Sequence, residues 1–136
     1  MACGIRFGGL SEKKILIFQT AKILNFDNQI IIFLTKGSLK LTGLDVSNNT
    51  ALIYLDCSFN QLTELDVSKN TVLAALLCSN NQFTASALNN LFGTLHSNSP
   101  PQYYTKNITI GGNPGTATCD QRIATARGWA VDTFNK

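Results

Sequence analysis

The chain holds one histidine, and its four cysteines, Cys3, Cys57, Cys78 and Cys119, include no C-x-x-C pair. Zinc sites built from Cys and His use such close pairs, so no metal site is expected. Charge is scarce, at 14% of residues, and unevenly placed. Residues 1–40 carry six Lys/Arg (Arg6, Lys13, Lys14, Lys22, Lys36, Lys40) against Glu12 and Asp27, whereas residues 41–136 carry five basic and six acidic side chains. Tracking a phosphate backbone needs Lys and Arg gathered on one face. The slightly acidic body lacks that, and no nucleic-acid partner is expected. Long apolar runs are missing too. The longest near the N-terminus is Ile30 to Leu34, short of the roughly 7–15 residues of a secretory signal or the roughly 20 of a membrane span. Gly111-Gly112-Asn113-Pro114-Gly115 is followed by no Gly-Lys-Ser/Thr, which a phosphate loop requires, and reads as a turn.

What is present is a repeat. The stretch from Leu41 to Gln61 is restated from Leu62 to Gln82, 21 residues on. Leu44 falls on Leu65, Asp45 on Asp66, Val46 on Val67, Leu55 on Leu76, Cys57 on Cys78 and Asn60 on Asn81. Phe83 opens a third copy. So much matched register marks an architecture of stacked units. Each copy is itself doubled, Leu41-x-x-Leu44-x-Val46-x-x-Asn49 against Leu52-x-x-Leu55-x-Cys57-x-x-Asn60. This predicts two short strands per turn, one on each side of a flattened coil. Alternation turns Leu44, Val46, Leu55 and Cys57 inward and Asp45 and Asp56 outward. One coil cannot enclose a core alone, so coils stack. Asn49, Asn60, Asn70 and Asn81 sit where the backbone bends. An Asn side chain carries both donors and an acceptor and can satisfy inward-pointing backbone groups there.

The alternation of L-x-x-L-D-V-S-x-N-T with L-x-x-L-x-C-S-x-N-Q resembles the 21-residue nested (IRREKO-type) leucine-rich repeats of bacterial proteins. It is most similar to those of surface or secreted proteins of gut commensals. The resemblance implies a mostly β repeat solenoid with short helices, a right-handed coil closed by N- and C-terminal caps. It also implies export, although no signal peptide is visible in this chain.

The repeat domain is expected over residues 28–132, with clear repeats over 41–83, a helix-containing coil over 84–113 and a C-terminal cap over 114–132. Residues 1–27 form an N-terminal strand cap or leader, and 133–136 a tail. Lys14 to Phe18, Lys22 to Phe26 and Gln29 to Leu34 read as strands. Ile31-x-x-Leu34 stands 21 before Leu52-x-x-Leu55, which puts Lys36 at the inward cysteine position. Ala85, Leu88, Leu91, Phe92 and Leu95 recur at helical spacing behind Thr84, a fair N-cap. Ile108-x-Ile110-x-x-Asn113 reads as the next coil's strand. A short helix over Asp120 to Ala126 and a strand at Trp129-Ala130-Val131 complete the cap, with Trp129 sealing the core. Cys57 and Cys78 read as small core residues.

No catalytic constellation can be argued. His96 reads as an exposed residue on the polar side of the helix. Asp45 and Asp66 read as solvated outer-face residues, on a side that looks merely soluble. The chain is expected to be non-catalytic, without cofactor, and to bind a protein or surface glycan through the outward positions of the L-x-C strands. The candidate contact residues are Tyr54, Asp56, Phe59, Leu77, Asn80 and Thr109. The rival expectation is a structural spacer or capping fragment of a longer repeat protein.

Overall fold

The computed structural model describes residues 21–26, 29–34, 40–101 and 103–134. Cys3, Lys36 and the strand expected at Lys14 to Phe18 lie outside these. Strands β1 (Ala21–Phe26) and β2 (Gln29–Leu34) pair antiparallel. Strands β3 (Leu52–Asp56), β4 (Ala75–Leu77), β5 (Asn107–Thr109) and β6 (Ala130–Asp132) then add in parallel to β2, so the order in the sheet is the order in the sequence. Parallel neighbours need a crossover of a dozen residues or more. Helices α1 (Ala85–Thr94) and α2 (Arg122–Thr125) lie within two of these crossovers.

The register stacks like on like. Leu55 stands beside Leu76, and Leu76 beside Ile108, all three without exposed surface. Cys57 and Cys78 lie just beyond, fully buried and unbridged. Each thiol donates to a carbonyl of the next coil, Cys57 Sγ to Leu77 O at 3.3 Å and Cys78 Sγ to Thr109 O at 3.2 Å. Burial pushes both thiols well above their ordinary range, and a thiol is nucleophilic only as thiolate. A maleimide reagent at neutral pH is therefore expected to leave Cys57 and Cys78 unlabelled until denaturant is added, as read by peptide mass. Labelling of either thiol at native pace would refute the buried ladder.

The asparagines satisfy the bends. Asn60 Oδ1 accepts from Leu41 N at 3.0 Å, Asn81 Oδ1 from Leu62 N at 3.0 Å, and Asn113 Oδ1 from Asn81 N and Phe83 N at 3.1 and 3.2 Å. Their amides return hydrogen bonds to carbonyls of their own and the preceding coil. On the other side Asn70 Nδ2 bridges Val46 O and Asn49 O at 2.9 and 2.8 Å.

Helix α1 begins where Thr84 Oγ1 accepts from Ala87 N, and it buries Leu88, Leu91 and Phe92. The turn before α2 passes so close to other backbone that a Cβ on Gly111 would collide with the Phe134 carbonyl. One on Gly115 would collide with the Thr84–Ala85 peptide. Glycine is required at both places by space.

Two expectations are corrected. The segments Leu44–Val46 and Leu65–Val67 are not strands, although Val46, Leu65 and Val67 are buried. Asp45 and Asp66 accept from the N–H groups of Ser47 and Ser68, at 3.0 and 2.7 Å. Val67 N donates instead to Thr94 Oγ1 of α1. These local bonds compete with a ladder, and a parallel pair of three-residue strands has little stability of its own.

The second correction is the register of β2. Ile32 stands beside Leu55 and Phe33 beside Asp56, with a bulge between Ile30 and Ile31. Past the bulge this is a shift of two from the 21-residue spacing, which keeps the pleat's alternation.

Candidate functional site

Between the inward positions of β3 to β6, two rows of residues face outward. One runs Tyr54, Ala75, Asn107, Ala130; the other runs Asp56, Leu77, Thr109, Asp132. A third row lies past the strand ends. Phe59, Asn80 and Gly112 all adopt left-handed backbone, with φ of 61°, 55° and 75°. The N–H of Phe59 donates to Ser79 O and that of Asn80 to Gly111 O, so the same bend recurs in three coils. Gly tolerates that conformation freely and Asn readily, whereas a bulky aromatic does not. Lys40 Nζ donates to Phe59 O at 2.7 Å on the edge of this row.

Tyr54, Asp56, Phe59, Leu77 and Asn80 are each half-buried. Thr109 shares their register but is only 6% exposed, and its hydroxyl oxygen accepts from Ser79 Oγ at 3.3 Å. It offers a partner almost no surface, which corrects its place among the contact candidates. Asp56 Oδ1 accepts from Ser58 N at 3.0 Å. Burial, and then the Asp56 charge, push the Tyr54 phenol up. The Asn80 amide nitrogen is buried with no hydrogen-bond partner among the described residues.

The side expected to be merely soluble carries the concavity. A groove of about 680 Å³ lies between the two L-D-V-S segments and the outer face of α1, lined by Asp45, Glu64, Asp66, Lys69, Thr84 and Asn90 among others. Hydrogen bonds from the side chain and N–H of Ser68 hold the Asp66 carboxyl below its usual range, and the nearby Asp45 charge only partly opposes them. The aspartates thus act first as turn caps. The D-x-S spacing, repeated at Asp45, Asp56 and Asp66, was the available signal for that role.

His96 is not an exposed helix residue. It follows the helix, is half-buried, and its Nε2 lies 2.7 Å from Leu73 O, with the ring set edge-on to Trp129 at 5.5 Å between centroids. Its carbonyl accepts from Trp129 Nε1 at 2.9 Å and from Lys106 Nζ at 3.3 Å. Lys106, which sequence reasoning passed over, is only 8% exposed and also donates to Asn98 O and Arg127 O at 2.9 and 2.6 Å. Its ammonium lies 5.9 Å from the Trp129 ring. Nothing in its neighbourhood in sequence, Tyr104-Thr105-Lys106-Asn107, separates it from a surface lysine.

Among the described residues no group of three or more His, Cys, Asp or Glu side chains converges as metal ligands would. No helix among them is long and apolar enough to cross a membrane. No family model, curated protein or solved structure matches the chain.

Proposed function

We propose that the chain is a short leucine-rich-repeat solenoid acting as a non-catalytic recognition module. It binds a protein or a surface glycan through the outer face carrying Tyr54, Asp56, Phe59, Leu77 and Asn80. Phe59 supports this reading most. It occupies a left-handed position held by Asn80 and Gly112 in the following coils, at a cost of about 1–2 kcal/mol. Backbone strain of this kind gathers at functional positions, and two aromatics and a carboxylate on one side of the sheet suit a contact surface.

Substituting Phe59→Gly should raise stability by about 1 kcal/mol while abolishing capture of a partner from a host-surface protein extract or a glycan panel. Unchanged capture by a folded Phe59→Gly protein removes this face from the reading. The rival reading, a spacer or cap of a longer repeat protein, draws support from the C-terminal cluster of Lys106, His96 and Trp129, which closes one end of the stack. A parent chain that captures nothing would favour it.

A further inference from the structure

We infer that the loop joining α1 to β5 docks into a protein groove walled by aromatic side chains, through Pro100, Pro101 and Tyr103. None of these residues belongs to the outer rows of β3 to β6, so the inference stands apart from the recognition reading above. The loop is fixed at its base. Asn98 Nδ2 donates to Thr71 O at 3.2 Å, in the turn ahead of β4, and Asn98 O accepts from Lys106 Nζ at 2.9 Å. The buried ammonium thereby joins the two ends of the loop, eight residues apart. At the tip, Tyr104 N donates to Pro101 O at 3.0 Å and makes a tight turn.

The first arm is stiffened by its covalent structure. Two of the chain's three prolines, Pro100 and Pro101, stand together there. A proline ring fixes its own φ and turns the residue before it away from helix. Ser99 and Pro100 each precede a proline, so this arm favours extended, polyproline II backbone even without hydrogen bonds. Both rings are half-buried and keep part of their surface in water.

Tyr103 is 94% exposed, more than any other large apolar side chain among the described residues. Its φ of 77° is left-handed, a conformation that glycine or asparagine adopts far more readily than an aromatic. The phenol ring thus adds almost no packing to this fold and is set on strained backbone. Strain that the fold itself does not use points to contact with something outside it. One phenol, two proline rings and their carbonyl acceptors, without charge, define what fits them. The complement is a groove of Trp and Tyr side chains, whose flat faces grip the rings and whose N–H and O–H groups donate to the carbonyls. The stiff arm and the clamped base leave little freedom to be lost on docking. A saccharide would stack on the tyrosine alone and have no use for the proline pair.

The test titrates the full chain against a fluorescein-labelled WW domain that reads Pro-Pro-x-Tyr, followed by polarisation. The same domain with its groove tryptophan replaced by alanine, and a panel of neutral oligosaccharides, run in parallel. Tyr103→Ala and the double variant Pro100→Ala/Pro101→Ala are each expected to weaken binding on the order of tenfold. Fluorescence of the buried Trp129 checks that each variant keeps the parent fold. The groove-blocked domain should not bind. Equal affinity of Tyr103→Ala and parent overturns the inference, as does a parent that leaves the WW domain unbound. A sugar held by the parent, lost on Tyr103→Ala and kept by the double proline variant, would assign the tip to a glycan and overturn it too.

Discussion

Replacing Lys106 with methionine is expected to cost about 2–4 kcal/mol of folding stability, more than any surface lysine could. The ammonium donates to the carbonyls of His96, Asn98 and Arg127, which belong to the segment after α1 and the turn after α2. Methionine keeps the apolar stem and removes all three bonds, leaving carbonyls in a place where water enters poorly. Not burying an ammonium offsets part of that loss. Trp129, the chain's single tryptophan and 1% exposed, lies against the same cluster, so urea unfolding followed by its fluorescence reads the change directly. A loss under about 0.5 kcal/mol, the usual scatter for surface changes, would show that the cluster carries no load.

The same lysine gives a pH signature. Burial lowers its pKa from the ordinary value. The folded state therefore releases the proton at lower pH than the unfolded chain does. Between those two values the unfolded state binds more protons, and stability rises with pH. Below the depressed folded value both states are protonated and the full penalty for burying the charge is present. The Lys106→Met protein should lack this alkaline rise.

The second large effect is expected at Asn81. Its amide nitrogen donates to Cys57 O, Cys78 O and Ser79 O at 3.0, 3.2 and 3.3 Å, and its carbonyl accepts from Leu62 N. One side chain thus joins two coils at a point 1% exposed. Asn81→Ala should destabilise by about 3 kcal/mol, since it leaves several buried backbone groups unmatched at roughly 1 kcal/mol or more each. Asn81→Asp retains the acceptor but sets a carboxylate against three carbonyl oxygens, so its loss at neutral pH should be at least as large. Acid should recover part of it, because the protonated acid regains a donor. Equal denaturation midpoints for Asn81→Asp and parent at neutral pH would contradict this account.

These two residues also show what a sequence can disclose about such a chain. Asn81 was legible because it recurs: Asn60 stands 21 before it in the same frame of Leu and Cys, and repetition distinguishes a backbone-satisfying asparagine from an ordinary polar turn residue. The pairing of Leu55 with Leu76 and of Leu76 with Ile108 was legible for the same reason. Lys106 has no counterpart in other coils, and its burial depends on three carbonyls from distant segments, so nothing local announced it.

The β2 register followed the opposite course. Spacing alone set Ile31 against Leu52 and Leu34 against Leu55, whereas the sheet sets Ile30 against Leu52 and Ile32 against Leu55 across a bulge that no count of 21 could announce. On the L-D-V-S side, the pattern L-x-V promised strands as clearly as L-x-C did. It did not disclose that Asp45 and Asp66 would spend their carboxylates on the N–H groups two residues on. Of the candidate contact residues, Tyr54, Asp56, Phe59, Leu77 and Asn80 fall on one face as their spacing required. Thr109 follows the same spacing and is buried nonetheless, its hydroxyl taken by Ser79, two residues past Leu77.

The sheet that adds its strands in sequence order has a bearing on how the chain forms. From β2 onward each strand finds its edge on the one just before it, so no part of the stack waits for a distant partner to be made. A ribosome delivering the chain from its N-terminus supplies each coil with a template already in place, and loop-closure entropy is met in small instalments of one coil at a time. Lys106 and Trp129 arrive after β4 and α1. Until they do, the carbonyls of His96 and Asn98 have no donor from the C-terminal end, and the nascent stack ends on an unfinished surface. Arrival of Lys106 and Trp129 supplies those donors.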